Sequence, residues 1–98
     1  MAVALGIANQ KGNGYVSMMP EVFRKEGFVA GFYSNEAGEP VHIHIRKAGG
    51  EAKFWLHPME LVESIGMKVK DLARAEELVR EHAVLIERRW NEYFGSRN

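Results

Sequence analysis

Three of the four histidines in this sequence lie in one short segment, residues 41–57, in which polar and apolar residues alternate. His42 and His44 are two positions apart, so both side chains lie on the same face if the segment is a β-strand. His57 ends a second alternating run, separated from the first by a glycine-rich turn. Neutral imidazoles are good Zn²⁺ ligands and also act as general acids and bases, so these three side chains are the candidates for chemistry.

The turn between the two runs decides which side chains meet. Glycines at positions 49 and 50 predict a two-residue hairpin loop, because glycine tolerates positive φ. In that register His42 lies opposite His57, with about 5 Å between their Cβ atoms. A four-residue loop would shift the pairs but keep the same faces. No carboxylate is obviously aimed into this cluster. This absence weighs against a metal or catalytic site.

Cationic and aromatic side chains share this polar face with the histidines. The alternation places Arg46, Lys53 and Trp55 there, and an aromatic-rich segment before the hairpin adds Tyr33 as a binding candidate. Trp55 could stack on a base while Arg46 and Lys53 meet phosphate. RNA, another anionic ligand and a protein partner are all candidates for this face.

Three interpretations of the polar face stay open from the residues alone. It is an ordinary solvated sheet face, a binding surface, or a catalytic or metal site. In the catalytic alternative, a metal-independent ribonuclease uses His42, His44 or His57 as acid and base, and Arg46 or Lys53 stabilises phosphate charge. In the metal alternative the same three histidines are the ligands. We expect no metal and no other cofactor, because His-x-His alone is a weak motif.

The rest of the chain predicts the elements that position the hairpin. Apolar residues at three- and four-residue steps predict a helix over about residues 68–94, either long or broken near His82. Residues 59–65 fit a helical turn or a strand, and we favour the strand. The predicted fold class is α+β, with the helix packed on a small antiparallel sheet around the central hairpin 41–57. Alternation and turn residues place its four to five strands at residues 21–25, 28–34, 41–47, 51–57 and 59–65.

The composition fits one small globular domain. The chain has 98 residues, a formal net charge of zero and no cysteine, which excludes disulfide scaffolds and argues against a strongly basic nucleic-acid binder. No apolar run approaches the roughly 20 residues of a membrane span, so we expect a cytoplasmic protein without membrane contact. Residues 1–18 contain no acidic residue, and we expect a loosely ordered extension there, followed by a single α+β domain at 19–98.

Four sequence segments carry a family resemblance when they are taken together: Phe32–Glu36, Glu39–Ile45, Gly50–Leu56 and Trp90–Phe94. With them, the chain from about residue 19 to residue 94 resembles a bacterial and phage-borne family of small proteins classed as a domain of unknown function. The resemblance implies that the site lies at residues 40–44 and their surroundings.

The same resemblance supplies the leading functional hypothesis. Genes of that family often neighbour those of another small family, and such pairs are suspected toxin–antitoxin modules. The resemblance therefore implies a component of a toxin–antitoxin-like or regulatory pair that binds a small partner protein encoded nearby. A homodimer is a further expectation if an end strand of the sheet has a free edge.

Overall fold

Seven elements lie within residues 19–95, the part of the chain that this computed structural model describes. Their order confirms the predicted α+β class and the strand predicted at 59–65. The extension expected at residues 1–18 lies outside the described residues. The elements are β1 (Glu21–Lys25), β2 (Phe28–Gly31), β3 (His42–Lys47), β4 (Gly50–Leu56), β5 (Met59–Ile65), α1 (Val69–Glu81) and α2 (Ala83–Phe94).

All five strands form one antiparallel sheet in the order β1-β2-β3-β4-β5, so each strand pairs with its neighbours in sequence. Short connections favour this arrangement because consecutive strands then lie side by side. The longest connection between strands, residues 32–41, joins β2 to β3. It is long enough to fold back over one face of the sheet, and this path decides the environment of His42 and His44.

The turn between β3 and β4 is Ala48-Gly49 rather than the predicted Gly49-Gly50. Both turn residues have positive φ, 51° for Ala48 and 84° for Gly49, as a two-residue type I′ turn requires. Gly50 pairs with Lys47 inside the ladder. A Cβ at position 50 would lie 2.6 Å from the carbonyl oxygen of Gly66. Position 50 therefore has no room for a side chain, because the backbone of Gly66 passes close to it. The turn lies one residue earlier in the chain than predicted.

The shifted turn changes the cross-strand pairs but keeps both faces. His42 pairs with Trp55, so the predicted pairing of His42 with His57 is wrong. Because the register moves by two residues, Ile43 and Ile45 still lie on the opposite face from the histidines, and both are fully buried.

Two helices cover the apolar face of the sheet, and the helix break predicted near His82 is confirmed. This residue has φ −107° and ψ 15°, outside the helical region. Its ring stacks on Phe23 with 4.0 Å between centroids, and its Nδ1 donates to the Leu78 carbonyl oxygen at 2.7 Å. The break divides a long helical segment into two pieces that fit a small sheet.

The hydrophobic core fills the space between the helices and the sheet. A large aliphatic or aromatic side chain buried here contributes about 1.5–3 kcal/mol to stability. Among its largest members are Phe28, Phe32, Ile43, Ile45, Phe54, Leu78, Val79, Ile86 and Trp90. The opposite face of β3 is buried as well, although it carries His42 and His44, so these two histidines do not lie on a solvated sheet face.

Candidate functional site

The connection between β2 and β3 covers the two histidines of β3. Two successive turns shape it: the Glu36 N–H donates to the Tyr33 carbonyl oxygen at 3.2 Å, and the Glu39 N–H donates to the Glu36 carbonyl oxygen at 3.0 Å. The Glu36 side chain points from this connection toward the sheet, where it reaches both rings. As a result His42 is 0% exposed and His44 is 7% exposed.

His44 has a carboxylate oxygen against each of its ring nitrogens. Its Nε2 lies 2.8 Å from Glu36 Oε2, and its Nδ1 lies 3.0 Å from Glu51 Oε2. Both nitrogens donate, because a carboxylate only accepts, so this ring carries a positive charge. Burial by itself lowers the pKa of His44, but the hydrogen bonds and negative charges of the two carboxylates outweigh it and raise the pKa above its ordinary value.

Glu36 is held as an anion in an almost enclosed position, with 11% of its side chain exposed. Burial raises the pKa of a carboxyl group, but the contacts with His42 and His44 reverse this effect and hold the pKa of Glu36 well below its ordinary value. Its Oε1 also accepts a hydrogen bond from the Tyr33 backbone N–H at 2.9 Å. The carboxylate thus bridges two imidazole rings.

His42 has one ring nitrogen satisfied and the other without a hydrogen-bond partner. Nδ1 lies 2.8 Å from the Pro40 carbonyl oxygen and must carry a proton, because a carbonyl only accepts. Nε2 lies 2.8 Å from Glu36 Oε1, yet it makes no well-formed hydrogen bond with any described residue. Without a proton on Nε2 this contact would set two lone pairs against each other, so a proton or another cation belongs between the two atoms. A buried polar atom left unpaired costs about 1–3 kcal/mol, and a cation between these two atoms would remove the conflict.

The cationic residues predicted to meet phosphate each lie against a carboxylate. Lys53 Nζ is 2.8 Å from Glu39 Oε1, and Arg46 Nε is 3.5 Å from Glu51 Oε1. The acidic residues therefore balance the positive charges of this face. Such a surface lacks the excess positive charge that phosphate binding uses.

Aromatic rings surround the two buried histidines. Trp55 and Trp90 meet His42 edge-on, with centroid distances of 5.5 and 5.0 Å. Tyr33, the remaining predicted binding residue, packs edge-on against His44 at 4.6 Å. These rings keep water from the cluster, and the low local dielectric strengthens the electrostatic contacts inside it.

The structure brings His42 and His44 together but places His57 elsewhere. His57 lies in the turn between β4 and β5, where its largely exposed ring has Nε2 at 3.1 Å from Glu87 Oε1. Its position follows from the register of the hairpin, which ends β4 at Leu56. His57 is therefore not part of the cluster that His42 and His44 form.

Two carboxylates, Glu36 and Glu51, complete the cluster, and the expectation that no acidic side chain reaches it is wrong. Glu51 lies on β4 on the same face as His44, and the alternation of residues in the sequence is sufficient to predict this face. Glu36 lies in an irregular connection, where no periodic pattern indicates where a side chain points.

The described residues contain one group of histidine and carboxylate side chains with the spacing of a metal site. Glu36, His42 and His44 each offer a ligand atom, and these atoms lie within 4.8 Å of one another. Two imidazoles with one carboxylate are a recurring donor set for transition metals such as Zn²⁺ and Fe²⁺. In both rings, moreover, Nε2 faces Glu36 while Nδ1 contacts an acceptor on the other side. Metal-ligating histidines are usually held in this way.

Fold and site together define a small α+β domain that encloses a histidine–carboxylate cluster between a meander sheet and the connection from β2 to β3. The chain belongs to the family described as Domain of unknown function (DUF4160), whose model matches residues 27–91. The matched region runs from the start of β2 into α2 and contains the whole cluster. No curated protein and no solved structure matched the chain significantly. Within residues 19–95, none of the helices has the length and apolar character needed to cross a membrane.

Proposed function

We propose that this domain binds a divalent transition-metal ion through Glu36, His42 and His44. The observation that carries the proposal is the buried Nε2 of His42, which lies 2.8 Å from a carboxylate oxygen without forming a hydrogen bond. A metal ion at this point would accept the lone pairs of both atoms. It would also take the place of the His44 Nε2 proton, which now lies against the same carboxylate.

The donor set favours ions of the zinc and iron class over magnesium or calcium. Imidazole nitrogen suits zinc, copper, iron and nickel, whereas magnesium and calcium take oxygen ligands. Tetrahedral zinc at about 2.1 Å from each donor needs roughly 3.4 Å between donors. In the metal-free structure, His42 Nε2 lies 2.8 Å from Glu36 Oε1, and His44 Nε2 lies 2.8 Å from Glu36 Oε2. Small side-chain shifts would therefore open the cluster enough for the ion.

The position of the ligands supports a structural role for the ion. Glu36 belongs to the connection between β2 and β3, whereas His42 and His44 belong to β3. One ion would therefore fasten the connection to the sheet. In a buried site whose ligands come from separate segments, metal binding contributes directly to folding free energy.

The contacts give less support to a metal-independent ribonuclease. A general acid or base must reach the substrate, but His42 is fully buried and His44 nearly so. The cationic groups that would stabilise phosphate, Arg46 and Lys53, are engaged by Glu51 and Glu39.

Metal analysis of the full chain, prepared without a histidine tag, tests the proposal. Equilibrium dialysis against Zn²⁺ should give one ion per chain, and Co²⁺ should give visible d–d bands. Trp55 and Trp90 flank His42, so Co²⁺ should also quench tryptophan fluorescence. His42→Ala and His44→Ala should lose binding, and His57→Ala is the matched control that should keep it. Absence of bound Zn²⁺ and Co²⁺ in the wild type would refute the proposal.

Partner-protein binding is a second candidate function, favoured by the exposed edge strand β5. Leu61 and Val62 are each 41% exposed, and Ile65 is 64% exposed. An edge strand with exposed apolar side chains can add a strand from another chain. We infer a small protein encoded nearby, in a toxin–antitoxin-like or regulatory pair, as the partner.

Co-expression with the product of the neighbouring gene, followed by size exclusion, tests this second candidate. The double variant Leu61→Ser, Ile65→Ser should abolish the complex. Val84→Ser removes a still more exposed apolar side chain from α2 and should leave the complex intact. Separate elution of the two wild-type proteins would count against the candidate.

A further inference from the structure

A fourth side chain, Glu51, lies directly behind the proposed ligand set. Its Oε2 is 3.0 Å from His44 Nδ1, the ring nitrogen that faces away from Glu36. The strand register explains this contact. Lys53 lies opposite His44, and Glu51 comes two residues earlier on the same face of β4. Diagonal neighbours of this kind are about 7–8 Å apart, within reach of a long side chain.

We propose that Glu51 is a positioning residue for the metal site: it holds the proton of His44 on Nδ1 and so directs the Nε2 lone pair toward the ion. This inference rests on the metal-binding function proposed above. Glu51 is not itself a ligand, because it contacts the nitrogen on the other side of the ring. A carboxylate in this place fixes the tautomer and the orientation of the ring and makes Nε2 a stronger donor.

The two ligating histidines differ in what holds them. His42 donates from Nδ1 to the Pro40 carbonyl oxygen, a backbone group that no substitution removes. His44 depends on the side chain of Glu51. A substitution of Glu51 therefore alters the hydrogen bond that orients His44, and it leaves the side chains of all three proposed ligands unchanged.

Two neighbours hold Glu51 in position. The Tyr33 hydroxyl lies 3.4 Å from Oε1, and Arg46 Nε lies 3.5 Å from the same oxygen. Tyr33 and Arg46, which the sequence marked as ligand-binding residues, thus support Glu51 here.

Zinc affinity measured by competition with a chromophoric chelator tests the role of Glu51. We expect Glu51→Ala to weaken Zn²⁺ binding about 10- to 100-fold, the range seen when the outer partner of a ligating histidine is lost. Glu51→Gln keeps the shape of the side chain and an accepting oxygen, so its loss should be smaller. Glu63→Gln makes the same charge change at an exposed residue of β5 and should keep the wild-type affinity.

The NMR signals of the His44 ring distinguish a local change at this histidine from a general loss of stability. Long-range ¹H–¹⁵N spectra of the zinc-loaded wild type should show His44 protonated at Nδ1 and metal-bound at Nε2. In Glu51→Gln the Nδ1 proton signal should shift upfield, because the hydrogen bond to a carboxylate is replaced by a weaker one.

Two outcomes would overturn the proposed role of Glu51, and a third would overturn the proposed metal binding. Equal zinc affinity of the wild type and both Glu51 variants would overturn the role of Glu51 while leaving the metal site. Equal weakening in the Glu51 variants and in Glu63→Gln would also overturn it, since net charge would then explain the loss. If the wild type binds no Zn²⁺, the proposed function itself fails.

Discussion

Removing the Glu36 carboxylate should destabilise the metal-free protein strongly. This side chain accepts hydrogen bonds from the Tyr33 N–H at 2.9 Å and from His44 Nε2 at 2.8 Å. Hydrogen bonds that involve a charged group each contribute about 1.5–3 kcal/mol. Glu36→Ala also leaves the buried His44 cation with one carboxylate instead of two. We expect a loss of about 3–5 kcal/mol, as for other buried pairs that lose one partner.

That loss is a large part of the total stability. A chain of this length is typically stable by about 5–15 kcal/mol. With a urea m-value of about 1–3 kcal/mol per M, the unfolding midpoint should fall by roughly 2 M. Glu36→Gln keeps the shape and an accepting oxygen, and we expect it to lose about 1–2 kcal/mol. This milder variant keeps the effect measurable if the alanine variant unfolds.

Urea unfolding in the presence of a chelator measures this effect without any contribution from bound metal. Glu63→Ala is the matched control, because it removes a carboxylate from an exposed position of β5. Surface substitutions of that kind usually change stability by less than about 0.5 kcal/mol. A loss below about 1 kcal/mol for Glu36→Ala, or a loss no larger than that of Glu63→Ala, would show that the buried contacts of Glu36 contribute little.

Two further substitutions and one control substitution test the fold that supports the site. Gly31→Ala would place a Cβ 2.3 Å from the Pro20 carbonyl oxygen, so the backbone before β1 must move; we expect a loss of about 1–3 kcal/mol by thermal or urea unfolding. Gly38→Ala has no atom within 4 Å of the new Cβ and should stay near the wild type, so similar losses in both glycine variants would contradict the predicted clash. Ile86→Ala opens a cavity in the fully buried core beneath α2 and should cost about 2–5 kcal/mol, and a stability close to that of the wild type would contradict the packing described here.

Local patterns in the sequence predicted most of the elements. Alternation marks β3 and β4 because successive side chains of a strand point to opposite faces. The apolar stripe of the C-terminal segment marks the helices, and its length relative to a small sheet indicated the break at His82. Both patterns depend on near neighbours in the chain, so they are readable without knowledge of the tertiary fold.

The same patterns did not determine which residues lie opposite the histidines on the neighbouring strand. The turn position was ambiguous among three adjacent residues, Ala48, Gly49 and Gly50, and the turn forms at the first two, while Gly50 lies against the backbone of Gly66. That contact is distant in sequence. The resulting register pairs His42 with Trp55 and leaves His57 outside the cluster.

The sequence by itself determined that two histidines share one face of a strand, and that Glu51 lies on the same face of the next. Only the tertiary structure decided that these two histidines are buried against carboxylates. The reason is the path of the connection between β2 and β3, which has no periodicity to predict it and which brings Glu36 within 2.8 Å of both rings. A face that resembled a cationic binding surface is therefore a closed cluster of two imidazoles and two carboxylates.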